Sequence, residues 1–473
     1  MSDHLPAPAD QLLSPFRLLL LLCTLTVVIY FDKGAIASNG VNGAQSTTER
    51  PGFGIQAGLA WGDFDLSIVK DGFLATALVA GITLSAPVSA QWAKSHNHLR
   101  LIGMGMVLWA AGAAACSLAP NYACLLAARV LMGVGTGPFI AVSAPLVDDT
   151  APKERKSLWL AALFLCITLG FALGFVVGGV AGLRFGWRAV LAGEAIGMLP
   201  FALSLLLAAD VPRRAHSAPS RAQAEQRGAW HEAWADLRAL LSLPIACLTI
   251  LGLCLFVGAL GTLSFYGPKA ARAILEISPE VADIGFGIVT LVAGSVGTVV
   301  GGLLLDAIGA SLRNALLVCA TAVFLGSSIV MAGFAFVSNL PAFFITLTAG
   351  NLLLFIIGAP SLGVLLWSCP PQMRPFVLSA SEVAQHVLGD VPTPPLMGAL
   401  QQWKGDWRLT MVASTGLIWV STFLYVAGVF LVRRAPLQPK TVEGLDGSEG
   451  EDEQLAQGLL EVVDARLVGV LPV

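Results

Sequence analysis

The sequence predicts an all-α membrane protein of twelve transmembrane helices, arranged as two six-helix halves. Three observations carry that prediction. Of the 473 residues, 56% are hydrophobic and only 12% charged, where a soluble domain carries about 25% charge; mean hydropathy is +0.77. Apolar runs long enough for a crossing, about 20 residues each, recur twelve times along the chain. A Trp-Arg pair also stands at the same place in each half, Trp187-Arg188 before run six and Trp407-Arg408 before run twelve.

In order, the first half (16–208) contains runs at 16–38, 68–92, 99–119, 122–147, 157–183 and 188–208. The second half (244–432) contains runs at 244–267, 284–305, 313–336, 341–367, 376–400 and 408–432. Residues 1–15 show no cleavable leader pattern, so the first run reads as a retained helix. Between the halves lies a charged linker, 209–243. There Trp230, Trp234, Leu237 and Leu241 fall at helical spacing, the pattern of an amphipathic helix at the membrane interface or of one packed under the bundle. The tail 433–473, with Glu449, Glu451, Asp452 and Glu453 among Gly and Ser, has the composition of a disordered acidic segment.

Lys and Arg settle the expected orientation. With both termini cytoplasmic, sixteen of those near the spans fall on the inner side and eight on the outer. The product is an integral multi-pass protein whose host membrane, plasma, vacuolar or lysosomal, stays open. The eight cysteines lie in or beside apolar runs without metal-ligand spacing, and read as buried, reduced small residues. No nucleophile–base pair or metal cluster stands in the loops, so neither enzymatic chemistry nor a cofactor is expected. Nucleic acid is not an expected partner.

Charges inside apolar runs are costly, at least ~2.5–3.5 kcal/mol for an arginine, so each calls for a partner or a water-filled cavity. Arg129 stands alone in run four, followed by Gly133, Thr136 and Gly137 on nearby turns. Asp32 and Lys33 interrupt run one. At 1.5 Å per residue, Asp32 lies roughly 22 Å from the inner end. Arg129 lies about 18–20 Å from it in a ~30 Å core. An Asp32–Arg129 pair is therefore expected, structural or functional. Run eleven places Glu382, His386 and Asp390 four residues apart on one rotating face. A histidine among carboxylates can relay protons, or Asp390 can merely orient the break at Val391-Pro392-Thr393-Pro394-Pro395. The glycines 170, 174, 178 and 182, and 294, 297 and 301, predict close helix seams. Glu194 and Asp306 read as ties to neighbouring helices.

Six plus six helices with a parallel repeat and a charged linker form the plan of a major facilitator transporter, with the substrate between the halves. Finer stretches add a resemblance: Phe31-Asp32-Lys33-Gly34-Ala35, Lys70-Asp71-Gly72, Ser85-Ala86-Pro87, Arg129-Val130-Leu131-Met132-Gly133-Val134-Gly135, Ala144-Pro145-Leu146-Val147-Asp148-Asp149, Tyr266-Gly267-Pro268-Lys269-Ala270, and His386-Val387-Leu388-Gly389-Asp390-Val391-Pro392. Together and in this order, they resemble the Spinster family of lipid transporters within the major facilitator superfamily, particularly its plant and algal branch.

The resemblance implies alternating-access transport of a lysophospholipid or a sphingoid lipid such as sphingosine-1-phosphate, with proton coupling in some members. It implies a coupling or head-group site at Asp32 and Arg129, and a role for His386 and Asp390 in the second half. Three positions depart from the family pattern: Thr136 and Asn351 stand where acids are usual, and Glu382 where a hydroxyl is usual. The acidic-basic loop between spans two and three is degenerate at Gln91-Trp92-Ala93-Lys94-Ser95-His96. Thr136 and Asn351 cannot carry protons, so either Glu382 restores a titratable group in the second half or the protein works as a facilitator without coupling. A small organic solute or anion, or a non-transporting membrane sensor, are the alternative functions.

Overall fold

The computed structural model describes residues 14–46, 48, 51–59, 66–93, 96–152, 155–208 and 229–434. Most of the linker, 209–228, and the acidic tail beyond Arg434 lie outside the described residues. Among the described residues, eleven helices are long and apolar enough to cross a membrane. They are α1 (Pro15–Ala37), α3 (Ile68–Ala93), α4 (His98–Leu118), α5 (Tyr122–Thr150), α6 (Lys156–Phe185, from Leu158 as a span) and α7 (Trp187–Leu207). In the second half they are α9 (Pro244–Leu275), α10 (Pro279–Ala307), α11 (Leu312–Phe336), the pair α12 (Leu340–Phe355) and α13 (Gly358–Trp367), and α16 (Trp407–Arg434, spanning to Val432). The twelfth crossing is a broken ladder: α14 (Arg374–Ala384), a π-helical stretch Gln385–Asp390, and α15 (Thr393–Lys404). A short helix, α2 (Asn39–Asn42), follows α1, and the linker helix α8 (Ala229–Leu241) precedes α9.

The break expected at Val391-Pro392-Thr393-Pro394-Pro395 begins before the prolines, at Gln385, and proline chemistry explains it. Pro392, Pro394 and Pro395 have no backbone N–H, so the carbonyls of Leu388, Asp390 and Val391 lose their usual donors four residues on. The chain widens instead, Val391 N–H bonding to the His386 carbonyl at 3.0 Å. Thr393 Oγ1 donates to the Gly389 carbonyl at 2.6 Å. The Val391 carbonyl is taken by Thr76 Oγ1, from the other half, at 2.6 Å. Run ten also divides, at Ile356 and Ile357, into α12 and α13.

The glycine seams form as expected. Along α6, a Cβ on Gly174 would lie 2.2 Å from the Phe31 carbonyl oxygen of α1, and one on Gly182 would lie 2.4 Å from the Gly40 carbonyl carbon of α2. On α10, Gly297 and Gly301 sit against the Leu352 and Ile356 carbonyls. Only hydrogen fits at these crossings.

The internal repeat also has a physical role. In each half, a glycine with positive φ, Gly186 (83°) or Gly405 (70°), ends the fifth crossing, and the Trp-Arg pair follows within three residues. Arg188 donates to the Ser117 and Ala119 carbonyls at 2.7 and 2.9 Å, and Arg408 to those of Phe334 and Ala335 at 2.7 and 3.2 Å. Each guanidinium caps the open carbonyls at the end of the third helix of its own half.

Of the cysteines, Cys116, Cys254, Cys319 and Cys369 are buried, Cys23, Cys166 and Cys247 half-buried, and Cys124 exposed, which corrects the expectation of uniform burial. In α8, Leu240 is buried while Trp234 and Leu241 are exposed.

Candidate functional site

Residues of both halves enclose a cavity of about 350 Å³. Its walls are mostly apolar, with Leu78, Phe171, Leu260, Phe286, Val289 and Phe355 among them; its polar groups include Lys33, Arg129, Asn351, His386 and Asp390 beside the hydroxyls of Thr168, Ser264 and Thr290. Lys33 holds its ammonium over the Tyr30 ring, 4.5 Å from the centroid, and pairs with no carboxylate among the described residues. Sequence reasoning passed Lys33 over as a neighbour of Asp32. Its signal was the hundred-degree step between adjacent helix residues, which turns one of the two toward the cavity when the other turns away.

Asp32 is that other residue, with no accessible surface. Arg129 Nη1 donates to its Oδ1 at 2.6 Å, so the pair inferred from depth is formed. Arg129 is 1% exposed and still borders the cavity. Glu194, expected as a simple helix tie, is buried from α7 against this pair and interacts with both members. Asp306 is exposed. Thr136 is buried two turns along from Arg129, its hydroxyl donating to the Met132 carbonyl at 2.9 Å; it does not line the cavity.

In the second half, the π-helical stretch brings His386 Nδ1 to 3.1 Å from Asp390 Oδ2, and both face the cavity. Glu382 lies one turn before the widening, exposed and away from the cavity lining, so the three-residue face read from the spacing separates into a pair and an outlier. Asn351 lines the cavity and donates through Nδ2 to the Leu347 carbonyl at 2.8 Å.

The two halves are tied together at the end of the bundle opposite Pro15 of α1. Asp71 of α3 receives Lys269 Nζ of α9 at 2.6 Å and the side-chain amides of Asn42 and Gln56 at 2.8 and 2.9 Å. Lys269 also donates to Asn42 Oδ1 at 2.8 Å. Asp283 of α10 accepts from Asn39 N and Nδ2 at 2.9 and 2.8 Å and from Gly40 N at 3.2 Å. Tyr266 donates to the Ile68 carbonyl at 2.9 Å. All these charged side chains are buried. Sequence reasoning treated Lys269 as a loop charge; the motifs Lys70-Asp71-Gly72 and Tyr266-Gly267-Pro268-Lys269 were visible, but not that they meet.

Two packed six-helix halves, a cavity between them and a closed seam at one end are the architecture of a membrane transporter. The comparisons narrow the class. Residues 51–389 match the Major Facilitator Superfamily. Over 445 residues the chain is 35% identical to the probable sphingolipid transporter spinster homolog 2 of Arabidopsis thaliana, covering 91% of this chain and 90% of that one. It is 32% identical to spinster homolog 1 of the same plant, covering 90% and 91%. A solved bacterial homolog of the human lysosomal transporter Spinster, in an inward-facing and unoccupied conformation, superposes with a TM-score of 0.71 at 17% identity. That match covers 89% of this chain and 99% of the other. The chain belongs to the major facilitator superfamily and, within it, to the spinster family close to the plant homologs. It is a transporter and not an enzyme.

Proposed function

We propose that the protein moves an amphipathic lipid, a lysophospholipid or a sphingoid lipid, by alternating access linked to proton movement. The observation that carries this reading is the cavity's division of labour: a long apolar wall, with Lys33 and Arg129 as its cationic points. A head-group phosphate pairs with ammonium and guanidinium groups, while a single acyl or sphingoid chain lies against Phe171, Phe286 and Val289. Lys33 is the first contact for the anion, because Arg129 already serves Asp32. Arg129 forms the positive floor behind it, Asp32 competing with the head group for that guanidinium. His386 with Asp390 is the second-half proton relay, and Asn351 is a polar wall contact. The names of the Arabidopsis relatives add support for a sphingolipid.

With both termini cytoplasmic, as the Lys/Arg bias favours, the seam of Asp71, Lys269 and Asp283 is the outer gate. The state described here then faces the cytoplasm. The test is uptake by the full chain in proteoliposomes of a panel comprising a lysophospholipid, a phosphorylated sphingoid base, a sugar and a small organic anion, with and without a pH gradient. Lipid-selective uptake enhanced by the gradient is the expected result. Uptake of the soluble solutes instead, or no flux of any of the four, rejects the proposal.

A further inference from the structure

The charge balance around Arg129 is uneven in a way the Asp32 pair does not explain. Three ionisable groups from three helices meet there: Asp32 of α1, Arg129 of α5 and Glu194 of α7. They are 0%, 1% and 6% exposed. Arg129 satisfies one oxygen, Asp32 Oδ1. Asp32 Oδ2, both Glu194 oxygens and Arg129 Nε are buried without a hydrogen-bond partner, and the Glu194 carboxyl lies beside that of Asp32. The titratable groups facing this cluster are Asp32, Arg129, Glu194 and the Cys116 thiol of α4; Met132 contributes only its thioether, 3.7 Å from Arg129 Nη1.

Two carboxylates in contact repel, and a single guanidinium neutralises only one of them. In a dry site the remaining charge is expensive. A proton between Glu194 and Asp32 Oδ2 resolves both problems, supplying a donor to oxygens that lack one and bringing the cluster to neutrality. We propose that Glu194 and Asp32 form a proton-binding carboxyl pair clamped by Arg129, with Glu194 as the residue that carries the proton. When a head-group anion draws Arg129 toward the cavity, the pair loses its counter-charge and holds its proton more tightly. When the anion leaves, Arg129 returns and the proton becomes releasable. The titratable acid of the first half thus sits on α7, and Thr136 of α5 need not supply one.

This inference shares the Asp32–Arg129 site with the lipid reading, so its main test uses no substrate. Infrared spectra of the reconstituted full chain in H2O and D2O report protonated carboxyls through their C=O stretch. Glu194→Gln is expected to remove one such band near neutral pH. Asp32→Asn is expected to remove it too, because Glu194 then becomes the sole counter-ion of Arg129 and ionises. The double variant strands Arg129 and should melt well below either single one. Adding Arg129→Gln, which leaves three neutral groups, should recover the loss. A band that survives Glu194→Gln, or a triple variant no more stable than the double, overturns the proposal. In the flux assay, Glu194→Gln should reduce the stimulation by a pH gradient to about one-fold. Failure of every lipid to move would reject the substrate reading and leave the infrared result standing.

Discussion

Lys269 and Asp71, 198 residues apart and in opposite halves, meet at 2.6 Å in a site where neither side chain exceeds 4% exposure. The contact is buried only while the halves are closed at that end, because opening the seam exposes both groups to water. Its energy therefore biases a conformational equilibrium. Removing one member of a buried pair costs about 3–5 kcal/mol, and the molecule can escape that cost by opening.

Lys269→Ala is accordingly expected to move the population toward the form open at the seam, by roughly two to four decades in the equilibrium constant. Asp71→Ala combined with Lys269→Ala should return part of the way. Spin labels at Phe185 and Phe336, exposed ends of α6 and α11 on that side, would lengthen their mutual distance in the single variant. An unchanged distance distribution would mean that the pair is not a latch.

Asp32 and Arg129 make a different prediction, since both belong to the first half and stay buried in the bundle. Asp32→Arg alone puts two cations together, and Arg129→Asp alone gathers three carboxyls with Glu194; each should lower the melting temperature steeply. The swap carrying both changes keeps the opposite charges in contact and should recover a large part of the loss. Thermal unfolding in lipid nanodiscs measures this. A swap no better than the worse single variant would argue against direct pairing.

The depth argument that found this pair shows what was legible in the sequence. Helix rise converts residue number into depth, so Asp32 and Arg129 could be matched. The twin Trp-Arg pairs exposed the repeat before their capping role was known. Azimuth was not legible. Nothing local tells Lys269 that α3 lies across the seam, or Glu194 that Asp32 and Arg129 lie against it. Run eleven failed differently: four-residue spacing implies one face only if the helix stays α-helical. Three prolines removed the donors that would have kept it so, and Glu382 parted from His386 and Asp390.

Lys33 separates recognition from stability. Its ammonium lies over the Tyr30 ring on the cavity wall, an arrangement worth about 0.5–1 kcal/mol in a wet setting. Lys33→Ala should therefore leave the melting temperature within a few degrees of the parent. Losing a charge-assisted contact of about 1.5–3 kcal/mol to an anionic head group should raise the half-saturating lysolipid concentration roughly 10- to 100-fold. Lys33→Arg should restore most of it. A parallel fall in the uptake of a lysolipid and of an uncharged amphiphile would show that Lys33 shapes the cavity and does not read the head group.

Gly174 tests the seam that holds α1, and with it Asp32 and Lys33, in place. A Cβ there would meet the Phe31 carbonyl oxygen at 2.2 Å and the Ala35 backbone nitrogen at 2.7 Å. Backbone atoms cannot rotate aside as a side chain can, so α1 itself must move away from α6. Phe31 is next to Asp32, and displacing it would stretch the ion pair to Arg129. Gly174→Ala should therefore cost more than the 1–3 kcal/mol usual for overpacking and weaken lipid uptake together with stability. Gly197→Ala is the control, because a Cβ there has nothing within 4 Å, and alanine favours the helix by about 1 kcal/mol over glycine. Melting temperatures of the two variants should move in opposite directions. Equal behaviour would mean that the α1–α6 seam has slack, and that Asp32 is positioned by its charge partners alone.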